Sequence, residues 1–143
     1  MLCAPITSQM AACEALQSAA KSVEEMKREY QRRRNFVIER LNEIGLRCVH
    51  PHGAFYAFPS IKNTGLSSID FADKLLKEKK VAVVPGVAFG EDYDEYIRIS
   101  YASSFMNLKE AFERIESFVN PVREPRSLTA TFSNGVNSVR SPS

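Results

Sequence analysis

Val23, Met26, Tyr30, Val37, Leu41 and Ile44 recur at helical spacing, and after Gly45 that spacing ends. Beyond it the apolar residues alternate or gather in short β-branched runs, with helical spacing returning at Phe71, Ala72, Leu75 and Leu76 and again from Leu108. A period that moves from 3.6 to 2 and back excludes both a pure helical bundle and an all-β sandwich. It calls for helices laid over a sheet.

Pro5 suits the first turn of a helix passing through Gln9, Ala12 and Leu16 to about Ala19. A longer helix follows over Val23–Ile44, with Gly45 available as a left-handed cap. Leu46–His50 reads as a short strand, Pro51-His52-Gly53 as a turn, and Ala54–Phe58 as a second strand stopped by Pro59. Ser67 with Asp70 resembles a capping arrangement for a helix reaching about Lys79. Val81–Val84 has the look of a buried strand closed by Pro85-Gly86. Tyr96–Tyr101 alternates, and Asn107 with Glu110 resembles a second capping box for a helix over Leu108–Val119. The expected class is α+β: a small, largely antiparallel sheet covered by helices, occupying residues 1–119 as one domain.

Residues 120–143 are rich in Ser, Pro, Asn and Thr, with no apolar period, and are expected to be a disordered tail. Of 19 basic and 17 acidic side chains, the tail's Arg123, Arg126 and Arg140 against Glu124 account for the whole net charge of +2. The body is therefore neutral, without the basic footprint of a nucleic-acid binder. Arg32, Arg33 and Arg34 form its one basic run, and Glu25, Glu29 and Glu39 lie close enough to pair with it. No apolar run approaches a membrane span, and no secretory leader is evident. Cys3, Cys13 and Cys48 are odd in number and form no CxxC pair, so free thiols in a reducing cytoplasm are expected. His50 and His52 add too few ligands nearby for a metal site.

Arg98 is the residue most open to a chemical reading. Alternation puts Tyr96, Arg98 and Ser100 on one strand face and Ile97, Ile99 and Tyr101 on the other. A guanidinium in that position pairs best with a carboxylate or phosphate. By spacing alone an internal ion pair, or plain exposure, is the favoured account. Gly53 and Gly86 allow close backbone approach to a ligand, and ordinary turns explain them equally. No phosphate-binding glycine loop, G-x-S-x-G elbow or Ser/His/Asp set is present.

Three ordered segments carry a resemblance. Pro51-His52-Gly53-Ala54-Phe55-Tyr56-Ala57-Phe58-Pro59, Val81–Gly90 and Tyr96-Ile97-Arg98-Ile99-Ser100-Tyr101-Ala102 are similar to the C-terminal domain of class I/II, fold-type I aminotransferases, especially the aspartate-type branch. The helix at Leu108–Val119 continues the match, and Ala4–Gln9 resembles the segment after that family's cofactor-lysine region. The resemblance spans residues 3–119. It implies that Arg98 grips the α-carboxylate of an amino or 2-oxo acid and that Phe55 lies near the cofactor.

The family's chemistry is pyridoxal-phosphate-dependent transamination in a homodimer. Its Schiff-base lysine sits in a Ser-x-Ser-Lys context, which none of the eight lysines here reproduces. The resemblance thus implies a fragment or truncated product with no catalytic residue of its own, which does not bind pyridoxal phosphate alone. Two other functions stay open: a non-catalytic module pairing with a paralogue or separate large domain, and a sensor of amino or 2-oxo acids through Arg98.

Overall fold

The computed structural model describes residues 3–123. Helix α1 (Ile6–Ser18) and helix α2 (Ala20–Glu43) are separated only by Ala19, and Pro5 stands at the N-cap of α1. Gly45, at φ +80°, closes α2 as a left-handed residue, and the Leu46 N–H reaches back to the Leu41 carbonyl at 2.8 Å. The expected cap is thus realised.

The sheet has three short strands: β1 (Tyr56–Ala57), β2 (Val84–Pro85) and β3 (Ile97–Ser100). Their order is β1-β3-β2, and both pairings are antiparallel. Helix α3 (Ser68–Lys79) precedes β2, and helix α4 (Phe105–Arg123) follows β3. The class is α+β, a small antiparallel sheet with helices packed on it.

The strands are shorter than the sequence suggested, and one is missing. Leu46–His50 pairs with no strand. Its Cys48 N–H goes to Asn42 Oδ1 at 3.3 Å and its Arg47 carbonyl accepts from Ser60 at 2.9 Å, so local contacts replace a ladder. The Ala54–Phe58 strand keeps only two residues, because Ala54 sits at φ +58° and Pro59 supplies no donor. The run Val81–Val84 joins the ladder only at its last residue.

Ser67 caps α3 by accepting from the Asp70 N–H at 3.1 Å. Helix α4 departs from expectation at both ends. It is capped by Ser104, which accepts from the Asn107 N–H at 3.1 Å, not by Asn107. It also runs past Val119 to Arg123. The disorder expected of the tail falls, beyond that point, outside the described residues.

The core lies between the sheet's inner face and the helices. Tyr101, Phe71, Phe112, Leu41, Leu46, Ile61, Leu75, Ile97 and Ile115 are each under 2% exposed. Helix α2 is fully buried only in its second half, at Val37, Ile38 and Leu41, with Tyr30 and Phe36 packed half-buried against the core. Val23 and Met26 are exposed, and α1 buries no residue at all. Arg40 ties α2 to α4 through Glu116 at 2.6 Å while also holding Glu43. Arg114 does the same for α3 and α4, donating to the Lys79 carbonyl at 3.3 Å, where a cation suits a helix C-terminus. Two of the three residues of the basic run are ion-paired: Glu29 accepts from Arg33 at 2.9 Å and from Arg32 at 3.2 Å, whereas Arg34 donates to Asn35 Oδ1 and to the Pro51 carbonyl.

Candidate functional site

Strand β3 alternates as its sequence required. Ile97, Ile99 and Tyr101 are buried, whereas Tyr96 and Arg98 are half-buried and Ser100 is exposed. The register Tyr56↔Ser100 and Val84↔Arg98 fixes which neighbours share the outer face. Arg98 consequently stands between two rings, its guanidinium carbon 4.5 Å from the Tyr56 ring centre and 5.0 Å from that of Phe89. Among the described residues no carboxylate lies within 4.0 Å of it. The internal ion pair that spacing alone favoured is not there.

An aromatic cluster surrounds this position. Phe58 stacks on Tyr96 at 5.4 Å, nearly parallel, and meets Phe89 and Tyr93 edge-on at 5.8 and 5.7 Å. Ring faces carry negative quadrupole charge, so Tyr56 and Phe89 hold the guanidinium by cation–π attraction and leave its N–H edge free. A guanidinium so placed is preset for a planar, two-oxygen anion.

The loop bearing Phe89 is fixed from two directions. Gly86 donates to the Tyr96 carbonyl at 2.9 Å, and a β-carbon at that position would lie 2.0 Å from the Tyr93 carbonyl oxygen and 2.5 Å from that of Tyr96. Gly86 is therefore a close-approach glycine, while Gly53 has nothing within 4 Å and is an ordinary turn residue. Asp94 holds the other end, accepting through Oδ1 from both the N–H and the hydroxyl of Ser68, each at 2.9 Å.

The sequence reading missed Tyr56, Phe89 and Asp94. Tyr56 was recoverable from the alternation that found Arg98. Phe89 and Asp94 depend on how a loop folds, which no period encodes.

Phe55 is 41% exposed and lies beside Tyr56, ring centres 4.6 Å apart, with Tyr30 at 6.0 Å. Its carbonyl accepts from the Tyr101 N–H at 2.9 Å. The structure thus puts Phe55 next to a ring that touches Arg98. Tyr101 itself is buried, its hydroxyl donating to the Ala54 carbonyl at 3.0 Å, and burial holds its phenol above the ordinary range. Cys3, Cys13 and Cys48 are all free, and only Cys48 is buried. His50 and His52 stand 6.0 Å apart, and among the described residues no three metal-ligating side chains group together.

A pyridoxal-phosphate site needs a lysine that is screened from water and poised as a nucleophile. Lys27, Lys62 and Lys77 are surface ion-pair partners of Glu24, Glu95 and Asp73. Lys80 reaches the Lys77 carbonyl, Lys109 lies over Phe105, and Lys21 and Lys74 are exposed on helices. Lys79, half-buried, ends α3. The residues present do not fit the Schiff-base half of such a site.

A helix-covered antiparallel sheet with Arg98 set between two rings on its outer face defines the class at the level of the fold. Comparison with known proteins makes the class specific. The family described as aminotransferase class I and II matches residues 1–115, and the chain belongs to that family. It is 55% identical over 120 residues to a putative aminotransferase of Bacillus subtilis, covering 84% of this chain and 31% of the relative. It is 54% identical over 115 residues to the aspartate aminotransferase of Pyrococcus abyssi, covering 78% and 30%. Among solved structures, the aromatic aminotransferase of Pyrococcus horikoshii superposes with a TM-score of 0.76 at 52% identity, over 79% of this chain and 31% of that one. The chain thus spans about 30% of the length of the relatives it matches.

Proposed function

We propose that this chain contributes the substrate-carboxylate half of a pyridoxal-phosphate-dependent transaminase, with Arg98 gripping the α-carboxylate of an amino or 2-oxo acid. The observation that carries it is the unpaired guanidinium of Arg98 between Tyr56 and Phe89. Arg28, Arg32, Arg33, Arg40 and Arg114 each have a glutamate partner, whereas Arg98, like Arg34 and Arg47, has no carboxylate partner among the described residues, and Arg98 alone of these three lies over rings. A cation held half-buried by rings has lost some hydration, which strengthens its attraction for an incoming anion. Family membership supplies the reaction class, and the position of Phe55 beside Tyr56 is consistent with the cofactor lying on the same side.

Pyridoxal phosphate, when bound, acts as the electron sink for amino-group transfer. What this chain's residues do is orient the substrate: a two-pronged grip on the carboxylate fixes where Cα sits. The chain alone is expected to be inactive, because its lysines do not build the rest of the site. Its relatives are named for aspartate and for aromatic amino acids, so the amino donor is not assigned.

The test is isothermal calorimetry of the full chain with 2-oxoglutarate, beside the Arg98→Ala and Arg98→Lys variants. Binding lost in the alanine variant and weakened at least tenfold by lysine supports the grip. Equal binding by wild type and Arg98→Ala defeats it.

One observation favours a second reading, a module completed by another polypeptide. Helix α1 has no buried residue, and Leu16 is 90% exposed on it. Sedimentation of the chain with a family member would reveal a heteromeric species, and a strictly monomeric chain would count against it.

A further inference from the structure

Between α2 and the turn that leads into β1 lies a cavity of about 280 Å³. Lys27, Tyr30 and Arg34 line it from the helix, His52 and its neighbours from the turn, and Tyr101 from within the fold. Two of these side chains are cationic, His52 adds an imidazole, and none of the lining residues is acidic. In a body with no net charge that is an uneven distribution.

Arg34 is half-buried, and its hydrogen bonds go to neutral acceptors. Nε and Nη2 donate to Asn35 Oδ1 at 3.3 and 3.2 Å, and Nη1 to the Pro51 carbonyl at 3.4 Å. Its charge is therefore held in place without being neutralised, and part of its fork is left over. Burial raises the pKa of the Tyr101 phenol and the Arg34 charge pulls it back, so the cation is felt at the buried end of the cavity. Lys27 is held only by Glu24, at 3.4 Å on the surface, a pairing weak enough to leave the ammonium free to turn inward.

The turn adds backbone donors. Ala54 holds φ +58°, and its carbonyl accepts from the Tyr101 hydroxyl at 3.0 Å. A left-handed residue with a side chain, kept so by a tertiary hydrogen bond, is the kind of strain that gathers at binding sites. Among the described residues the N–H groups of His52, Gly53 and Ala54 meet no acceptor. Consecutive unbonded N–H groups beside a left-handed residue make a concavity suited to an anion.

We propose that this cavity binds a phosphate monoester of a small molecule, with Arg34 and Lys27 neutralising the dianion and the turn at 52–54 donating to its oxygens. Donors that converge from a helix and from a turn suit a tetrahedral anion, whose oxygens point several ways, better than a planar carboxylate. Half-buried Tyr30 and Pro51 give the organic part an apolar wall. A nucleic-acid surface would repeat its cations along a stripe, whereas here they meet at one cavity. The site is separate from Arg98: Tyr101 belongs to the buried face of the β3 segment and Arg98 to its outer face.

Calorimetry of the full chain with phenyl phosphate, and with inorganic phosphate beside it, tests the site. Phenyl phosphate is expected to bind at least as tightly as inorganic phosphate. Arg34→Gln should weaken it about tenfold or more, as for a lost hydrogen bond to a charged group. Lys27→Gln should weaken it about threefold, as for an exposed charge. Arg98→Ala should retain it. Lys27 is exposed, so its variant decides the matter if circular dichroism shows that Arg34→Gln does not fold. No binding by the wild-type chain, or equal binding by Lys27→Gln, overturns the proposal. Loss in Arg98→Ala overturns it too, by putting the phosphate at the carboxylate site. Binding of inorganic phosphate alone rules out the organic ligand and sinks it. Pelleting with phosphatidic acid vesicles, without binding of phenyl phosphate, marks a membrane surface and does the same.

Discussion

The hydroxyl and the N–H of buried Ser68 both donate to one carboxylate oxygen, Asp94 Oδ1, each over 2.9 Å. A single acceptor thereby locks the first turn of α3 to the loop that brings Phe89 over Arg98. A carboxylate near a helix N-terminus is also favoured by the helix dipole.

Removing either partner leaves a polar group short of a bond in a site with little water, which costs about 1–3 kcal/mol. Ser68→Ala and Asp94→Ala are each expected to lower the unfolding free energy obtained from urea denaturation by that amount. In the double variant the second change should add less than the first, since the two residues share the same bonds. Full additivity would show that they act independently.

Gly86→Ala is expected to be among the most damaging single changes available. The new methyl would overlap two backbone oxygens, at 2.0 and 2.5 Å, and backbone cannot swing aside as a side chain can. A loss of about 3 kcal/mol or more is expected, as for overpacking at its severe end. Gly53→Ala meets nothing within 4 Å and should stay within about 0.5 kcal/mol of wild type. Thermal unfolding of the two variants side by side checks both statements.

If the rings preset Arg98, removing one should weaken carboxylate binding without abolishing it. Tyr56→Leu keeps bulk but loses the ring face, and an interaction of about 0.5–2 kcal/mol goes with it. Calorimetry should then show two- to thirtyfold weaker binding of a 2-oxo dicarboxylate. An unchanged affinity would mean the rings only pack.

Burial raises the pKa of the Cys48 thiol, partly offset by a backbone hydrogen bond from Phe58, and burial also raises that of the Tyr101 phenol. A raised folded pKa means that the native state holds the proton more tightly than the unfolded state. Both groups therefore contribute stability below their ordinary values of 9.0 and 10.0. That contribution is lost as the pH climbs from there through the folded values. Stability should decline above about pH 9, and Cys48→Ala should flatten the first part of the decline. With a thiol reagent at pH 8, Cys3 and Cys13 should react quickly and Cys48 slowly. Three equal rates would contradict its burial.

The helices were legible because each carries its own marks. Ser67 with Asp70 capped α3 as read, and Gly45 ended α2 as read, since both act within one turn of chain. Strands were harder, because a strand is defined by its partner. Leu46–His50 has a strand's composition, but its backbone is satisfied by Asn42 and Ser60 instead. The cap of α4 was misplaced by three residues because Ser104 and Asn107 are equally good capping residues. Arg98's face followed from alternation alone. Its freedom from an ion pair did not, since that depends on which groups the fold leaves at a distance.

Helix α1 has a thermodynamic consequence of its own. Thirteen residues with none buried receive no tertiary support, and a helix of that length is marginal in water by itself. Its melting should be uncoupled from that of the body, fraying gradually while the core still holds. Heat capacity and far-ultraviolet ellipticity would then disagree about this chain's transition, the ellipticity sloping well before the calorimetric peak. A polypeptide that covered α1 would bring the two curves into register.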